Sequence, residues 1–154
     1  MADVNVNYKN ILVPVDGSKV TAQVLEKGIT MAKACDAHLD ILNVVQVTQL
    51  SDGYAPASSL SPDQTYDLVK TTQERLEDLK QRAIDAGVAK VDIHVRFGNP
   101  KQVIGRDFPK DHNNDLIVIG STGLSAFERI VLGSVTGYVI RVAKPDVMVA
   151  RTQK

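Results

Sequence analysis

The sequence predicts an α/β domain: an open, five-stranded parallel sheet with helices on both faces. Three observations predict it. Short runs of apolar and β-branched residues recur along the chain, as in "NILVPVD", "DLIVIG" and "PDVMVAR". Stretches with apolar residues at three- and four-residue spacing separate them. The two kinds of segment alternate strictly, β-α-β-α-β-α-β-α-β, and right-handed crossovers turn that order into a parallel sheet.

Asn10 to Asp16 reads as the first strand, buried on both faces because its apolar run is unbroken. Ser18 or Asp16 is expected to cap the following helix, in which Val24, Leu25, Gly28, Ile29, Ala32 and Cys35 form one apolar face. His38 to Val47 is the second strand. Residues 48–64, rich in Ser, Pro, Gly and Asp, read as a long surface loop. A long helix spans about Asp63 to Ala86, with Val69, Thr72, Leu76, Leu79 and Ala83 as its buried stripe and Gly87 as C-cap. Lys90 to Gly98 is the third strand. A short helix follows, with Pro100 in its first turn and Pro109 expected to end it. "DLIVIG" is the fourth strand. Gly133-Ser134 opens the last helix, where Val135, Tyr138, Val139 and Val142 share a face, and Pro145 to Arg151 is the fifth strand.

At 154 residues the chain is expected to form a single domain, 1–154, large enough for a real core. Eighteen basic and eighteen acidic side chains cancel, so charge gives no reason to expect nucleic acid or an anionic membrane as partner. No apolar run is long enough to span a bilayer. "MADVNVNYKN" lacks a signal-peptide h-region, and Cys35 is the only cysteine, which rules out an internal disulfide. These features lead to the expectation of a cytoplasmic protein.

The most informative stretch is "GSTGLSAFERIVLGSVTGYVI", which directly follows the fourth strand. Strand, loop and helix N-terminus together form the arrangement that binds phosphate. Its glycines and hydroxyl fall in the pattern G-x2-G-x9-G-[ST] at Gly120, Gly123, Gly133 and Ser134. Glycine lets backbone N–H groups approach phosphate oxygens, and a helix N-terminus adds unpaired N–H groups and partial positive charge. Taken alone, Gly133 reads more readily as a turn and Ser134 as a helix cap; all four positions in register reverse that preference.

This pattern, continued as Gly133-Ser134-Val135, and the opening "ILVPVDGS" resemble the universal stress protein family over about Tyr8 to Arg151. The resemblance implies a Rossmann-like sheet of order 3-2-1-4-5 and, because the glycine motif is complete, ATP binding. It places Pro14, Asp16, Val44, Ile119, Gly120 and Val135 around the nucleotide. Asp16 would accept hydrogen bonds from ribose hydroxyls, as acidic residues do in other dinucleotide folds, although an N-cap carboxylate is the plain alternative. Val44 would offer backbone groups to adenine. Ser121, Thr122, Gly123, Gly133 and Ser134 would face phosphate. Arg129 could add positive charge, but a lone arginine there is more often solvated. Mg²⁺ could travel with the nucleotide through phosphate oxygens and water. The resemblance also implies a homodimer through the fifth strand, at Val147, Met148 and Val149, which suits an apolar edge strand that needs cover.

Catalytic signals are weak. No phosphate-loop lysine or kinase signature appears. His38, His94 and His112 look scattered, and no metal site is expected. Cys35 reads as an inert thiol. The expectation is a nucleotide-responsive binding or regulatory module in stress response. The rival is a slow ATPase or phosphate-transfer enzyme.

Overall fold

The computed structural model describes residues 6–46, 61–121 and 132–151. Its elements run β1 (Asn10–Val15), α1 (Thr21–Cys35), β2 (His38–Gln46), α2 (Pro62–Asp85), β3 (Val91–Gly98), a composite helix α3, β4 (Leu116–Gly120), α4 (Ser134–Val142) and β5 (Asp146–Ala150). α3 joins Pro100–Gln102, a π-helical turn Val103–Asp107 and Phe108–His112. Most of the expected loop at 48–64 lies outside the described residues. Its last part is instead the start of α2. There Ser61 accepts from the Gln64 N–H while the Gln64 side chain accepts from the Ser61 N–H, with Pro62 in the first turn, a reciprocal cap that fixes the helix start.

All five strands are parallel, in the order β3-β2-β1-β4-β5. The unbroken apolar runs divide by alternation between two cores. Ile11, Val13, Leu39, Ile41, Leu116 and Val118 face α1 and α2, whose Leu25, Ile29, Leu76 and Ala83 close that side. Leu12, Leu42, Ile117 and Ile119 face α3 and α4, where Val103, Ile104, Phe108 and Val139 meet them. On β5, Val147 and Val149 pack against the second core and Met148 against the first. Tyr8 ties the approach to β1 onto the start of β5. Its hydroxyl donates to Asp146 Oδ2 at 2.6 Å, and that bond, with some burial, pushes the phenol up to about 12.

Two expected helix boundaries change. Neither Ser18 nor Asp16 caps α1: the N-cap is Val20 and no side chain bonds there. Asp16 Oδ1 instead accepts from the Ser18 N–H at 2.9 Å, which folds the segment into a side-chain turn before the helix can start. Pro109 does not end the helix, which runs on to His112. The π turn explains this. The Phe108 N–H reaches back five residues to Val103 O, so the chain is already widened where proline supplies no donor. Gly87, expected as the C-cap of α2, stands one residue beyond it, after Ala86. At φ +109° its N–H reaches Ile84 O while the Val88 N–H reaches Ala83 O, and together these close α2.

Gly28 sets how closely α1 sits on the sheet. A Cβ there would lie 2.4 Å from Val13 Cγ2, inside a fully buried core position. A helical Gly→Ala change normally stabilises by about 1 kcal/mol through propensity, whereas overpacking a core costs about 1–3 kcal/mol. The clash should win, so Gly28→Ala is expected to lower the denaturant midpoint. In α4, a Cβ at Gly137 would meet only Leu132 Cδ2 at 3.7 Å, an ordinary contact. Gly137→Ala should therefore raise the midpoint, and urea titration of the pair checks both signs.

Candidate functional site

β1 and β2 stay paired from Asn10–His38 to Val15–Asn43, but β1 and β4 pair only at Ile11–Leu116 and Leu12–Ile117. Beyond Leu12 the two strands part. Pro14, lacking an N–H, contributes no donor to any ladder there. The crossover after β1 leads to β2 on one side and the chain later returns to β4 on the other. Among the described residues no connection covers the gap, which is the topological switch point of the sheet.

A cavity of about 280 Å³ opens at this point. The end of β1 supplies Pro14 and Asp16, β2 supplies Val44, and β4 supplies Ile119 and Gly120. The start of α4 supplies Gly133, Ser134 and Val135. The fold thus brings all these sequence-predicted residues to one cavity. Ser121 stands at its rim without lining it; its N–H extends the ladder to Ala150 O at 3.0 Å. The Gly133 N–H donates to Ser121 O at 2.7 Å, which holds the start of α4 against the end of β4. Thr122, Gly123 and Arg129 lie outside the described residues.

Gly133 is the N-cap of α4, with extended backbone and no side-chain hydrogen bond, and Ser134 is the first helical residue. Ser134 is therefore not a cap. Among the described residues no side chain caps the first turn of α4, and Gly133, Ser134 and Val135 at that end of the helix line the cavity. Asp16 is likewise not the cap of α1, so both plain alternatives for these residues are removed by geometry. Asp16 lines the same cavity as the start of α4. Beside it, Gly17 sits at φ +79°, a conformation that disfavours side chains, and the Arg75 guanidinium of α2 lies about 3.0 Å from where a Cβ would stand. Arg75 is a positive group near the site that the sequence pattern did not single out.

Sequence reasoning also missed other wall residues. Thr136 lines the cavity, and its Oγ1 donates to Gly120 O at 2.6 Å, locking α4 to β4. The hydroxyl directly after Gly-Ser-Val was the available signal. Thr21 lines the opposite side, and among the described residues its buried Oγ1 has no hydrogen-bond partner. Pro100 and Ile104 of α3 supply an apolar floor; only the tertiary packing of α3 brings them there.

A larger, open groove of about 1220 Å³ lies at the other end of the sheet, beside Tyr8, Asn114 and Asp146, which precede or begin strands. The smaller cavity is the better candidate because parallel sheets present helix N-termini and strand carboxyl ends there. Elsewhere the histidines, expected to be scattered, converge on the buried Asp40. His94 Nε2 stands 2.8 Å from one of its oxygens, and His38 Nδ1 stands 3.6 Å from the other. Strand register explains it, since His94 lies opposite Leu42 and Asp92 opposite Asp40.

Comparison with known proteins agrees with this architecture. The family model described as the universal stress protein family matches residues 7–151. A Staphylococcus epidermidis protein assigned to the same family is 37% identical over 149 residues, covering 97% of this chain and 87% of its own length. The solved universal stress protein UspA from Lactobacillus plantarum superposes with a TM-score of 0.81 at 30% identity, covering 96% of this chain and 100% of that one. A universal stress protein solved in complex with cAMP shares the fold at 23% identity, with a TM-score of 0.71 over 96% of this chain and 100% of that one. With its parallel sheet, its open switch point and this match along nearly all of its length, the chain belongs to the universal stress protein family.

Proposed function

We propose that the chain binds ATP in the switch-point cavity and acts as a nucleotide-responsive regulatory module in stress response. The observation that carries this reading is the pairing of opposite chemistries across one cavity. The first turn of α4, which no described side chain caps, suits phosphate, and Asp16, which lines the same cavity and does not cap α1, suits ribose hydroxyls. The apolar walls at Val44, Ile104 and Ile119 suit a base. The cAMP complex of a fold relative supports a nucleotide in this family. The choice of ATP rests on the complete glycine motif. Mg²⁺ would accompany the nucleotide on its phosphate oxygens.

ATP serves as ligand in this reading, and hydrolysis is negligible. Among the described cavity residues Asp16 is the sole carboxylate and no lysine occurs to grip a γ-phosphoryl group. ATP and a non-hydrolysable analogue should raise the melting temperature equally, through roughly 2.7 kcal/mol of linkage at a hundredfold excess over Kd. Gly133→Val should abolish calorimetric binding while circular dichroism stays native. Unchanged affinity in that folded variant would move the phosphates elsewhere. Steady multiple-turnover phosphate release by the wild type would favour the enzyme reading.

The module is further proposed to work as a homodimer through β5, located in the cytoplasm. Among the described residues β5 pairs only with β4, which leaves its other edge of N–H and C=O groups for a partner, and an isologous pairing of Val147, Met148 and Val149 would cover it. Val149→Pro should shift the molar mass by light scattering from dimer toward monomer. A monomeric wild type at micromolar concentration would refute the assembly.

A further inference from the structure

The chain holds three histidines, and all three gather about one carboxylate, far from any role in the nucleotide cavity. Asp40 is 1% exposed, a place where carboxylates are rarely found unpartnered. It lies on the α3 side of β2. The Asn114 amide donates to its Oδ2 at 3.1 Å, and His94 Nε2 lies 2.8 Å from its Oδ1. His38 bridges outward, with Nε2 2.6 Å from Asp92 Oδ2. His112 arrives from the end of α3. Its ring is stacked on Phe108 at 4.0 Å and set edge-on to His94 at 4.8 Å between centroids. One donor atom each from Asp40, His94 and His112 lies within 4.8 Å of the other two.

We propose that Asp40, His94 and His112 form a binding site for a divalent transition-metal ion of the zinc class, joining β2, β3 and α3. Two imidazoles and one carboxylate are the donor set that zinc and its neighbours prefer, whereas magnesium and calcium prefer oxygen throughout. The His94–Asp40 separation of 2.8 Å is already close to the roughly 2.9–3.4 Å between two ligands held about 2.0–2.1 Å from one ion. His112 would swing inward to complete the set. On loading, the ion takes the place between His94 Nε2 and Asp40 Oδ1, and the neutral ring adopts the tautomer with its N–H on Nδ1. Asn114 then holds the carboxylate from behind, as outer partners of metal ligands do.

A proton-only network is the competing account. His94 and Asn114 already satisfy Asp40, so that account gives His112 no part. Nor, among the described residues, does His112 have a strong bond of its own. Arg96 Nη2 is 3.4 Å from its Nε2, at the long limit, while Arg96 Nη1 binds Asp111 Oδ2 at 2.9 Å. Arg96 is therefore the group an incoming cation must oppose, and its removal should tighten binding.

The test is a titration of the nucleotide-free full-length protein with Co²⁺, read by its ligand-field absorption, followed by competition with Zn²⁺ and stripping with EDTA. One Co²⁺ per chain is expected, displaced by Zn²⁺. Affinity should fall more than about tenfold in His94→Ala and in His112→Gln, and rise in Arg96→Ala. His112→Gln is the decisive variant because it leaves the bonds of Asp40 intact, and circular dichroism verifies its fold. The site is overturned if the wild type takes up no stoichiometric Co²⁺, or if folded His112→Gln binds it as tightly as wild type.

Discussion

The parting of β1 from β4 after Leu12 is the constraint on which the rest depends. Parallel strands joined by right-handed crossovers must send successive helices to one face until the order reverses. Here it reverses at β1, with α1 and α2 on one face and α3 and α4 on the other. The strand ends on either side of the reversal cannot be bridged by a crossover, so a cavity is left open there. Pro14, Ile119, Gly120 and the start of α4 meet at that gap.

Two short hydrogen bonds hold the gap in shape. Thr136 Oγ1 donates to Gly120 O at 2.6 Å, and the Gly133 N–H donates to Ser121 O at 2.7 Å. Both fasten the N-terminus of α4 to the end of β4, so the helix presents its first turn at a fixed place. A donor array fixed before ligand arrives loses little ordering entropy on binding. The facing wall is held differently: Asp16 folds back on the Ser18 N–H, and α1 starts only at Thr21.

Much of this was legible in the sequence, because unbroken apolar runs and three-to-four spacing report burial directly. The sheet order matches the expectation from the family resemblance, and Pro14, Asp16, Val44, Ile119, Gly120, Gly133, Ser134 and Val135 line one cavity, where their role toward a nucleotide is a proposal. Local competition was less legible. Asp16 had several donors within reach, and sequence could not tell that a side-chain turn would win over a helix cap. Pro109 normally breaks a helix, and the preceding π turn that accommodates it leaves no simple signature. The convergence of the histidines was hidden altogether. It depends on the β2–β3 register and on where α3 ends, both of which are long-range facts. β2 carries both features on one face, with Asp40 and Val44 four residues apart, or about 13 Å.

The central claim is that one wall of the cavity reads ribose and the other reads phosphate. The most direct test is calorimetric titration of Asp16→Ala with ATP and, separately, with inorganic triphosphate. The account predicts a large loss of ATP affinity and little change for triphosphate, with the α4 wall untouched. Equal losses for both ligands would contradict it, because Asp16 would then be acting through the local fold and not through the sugar.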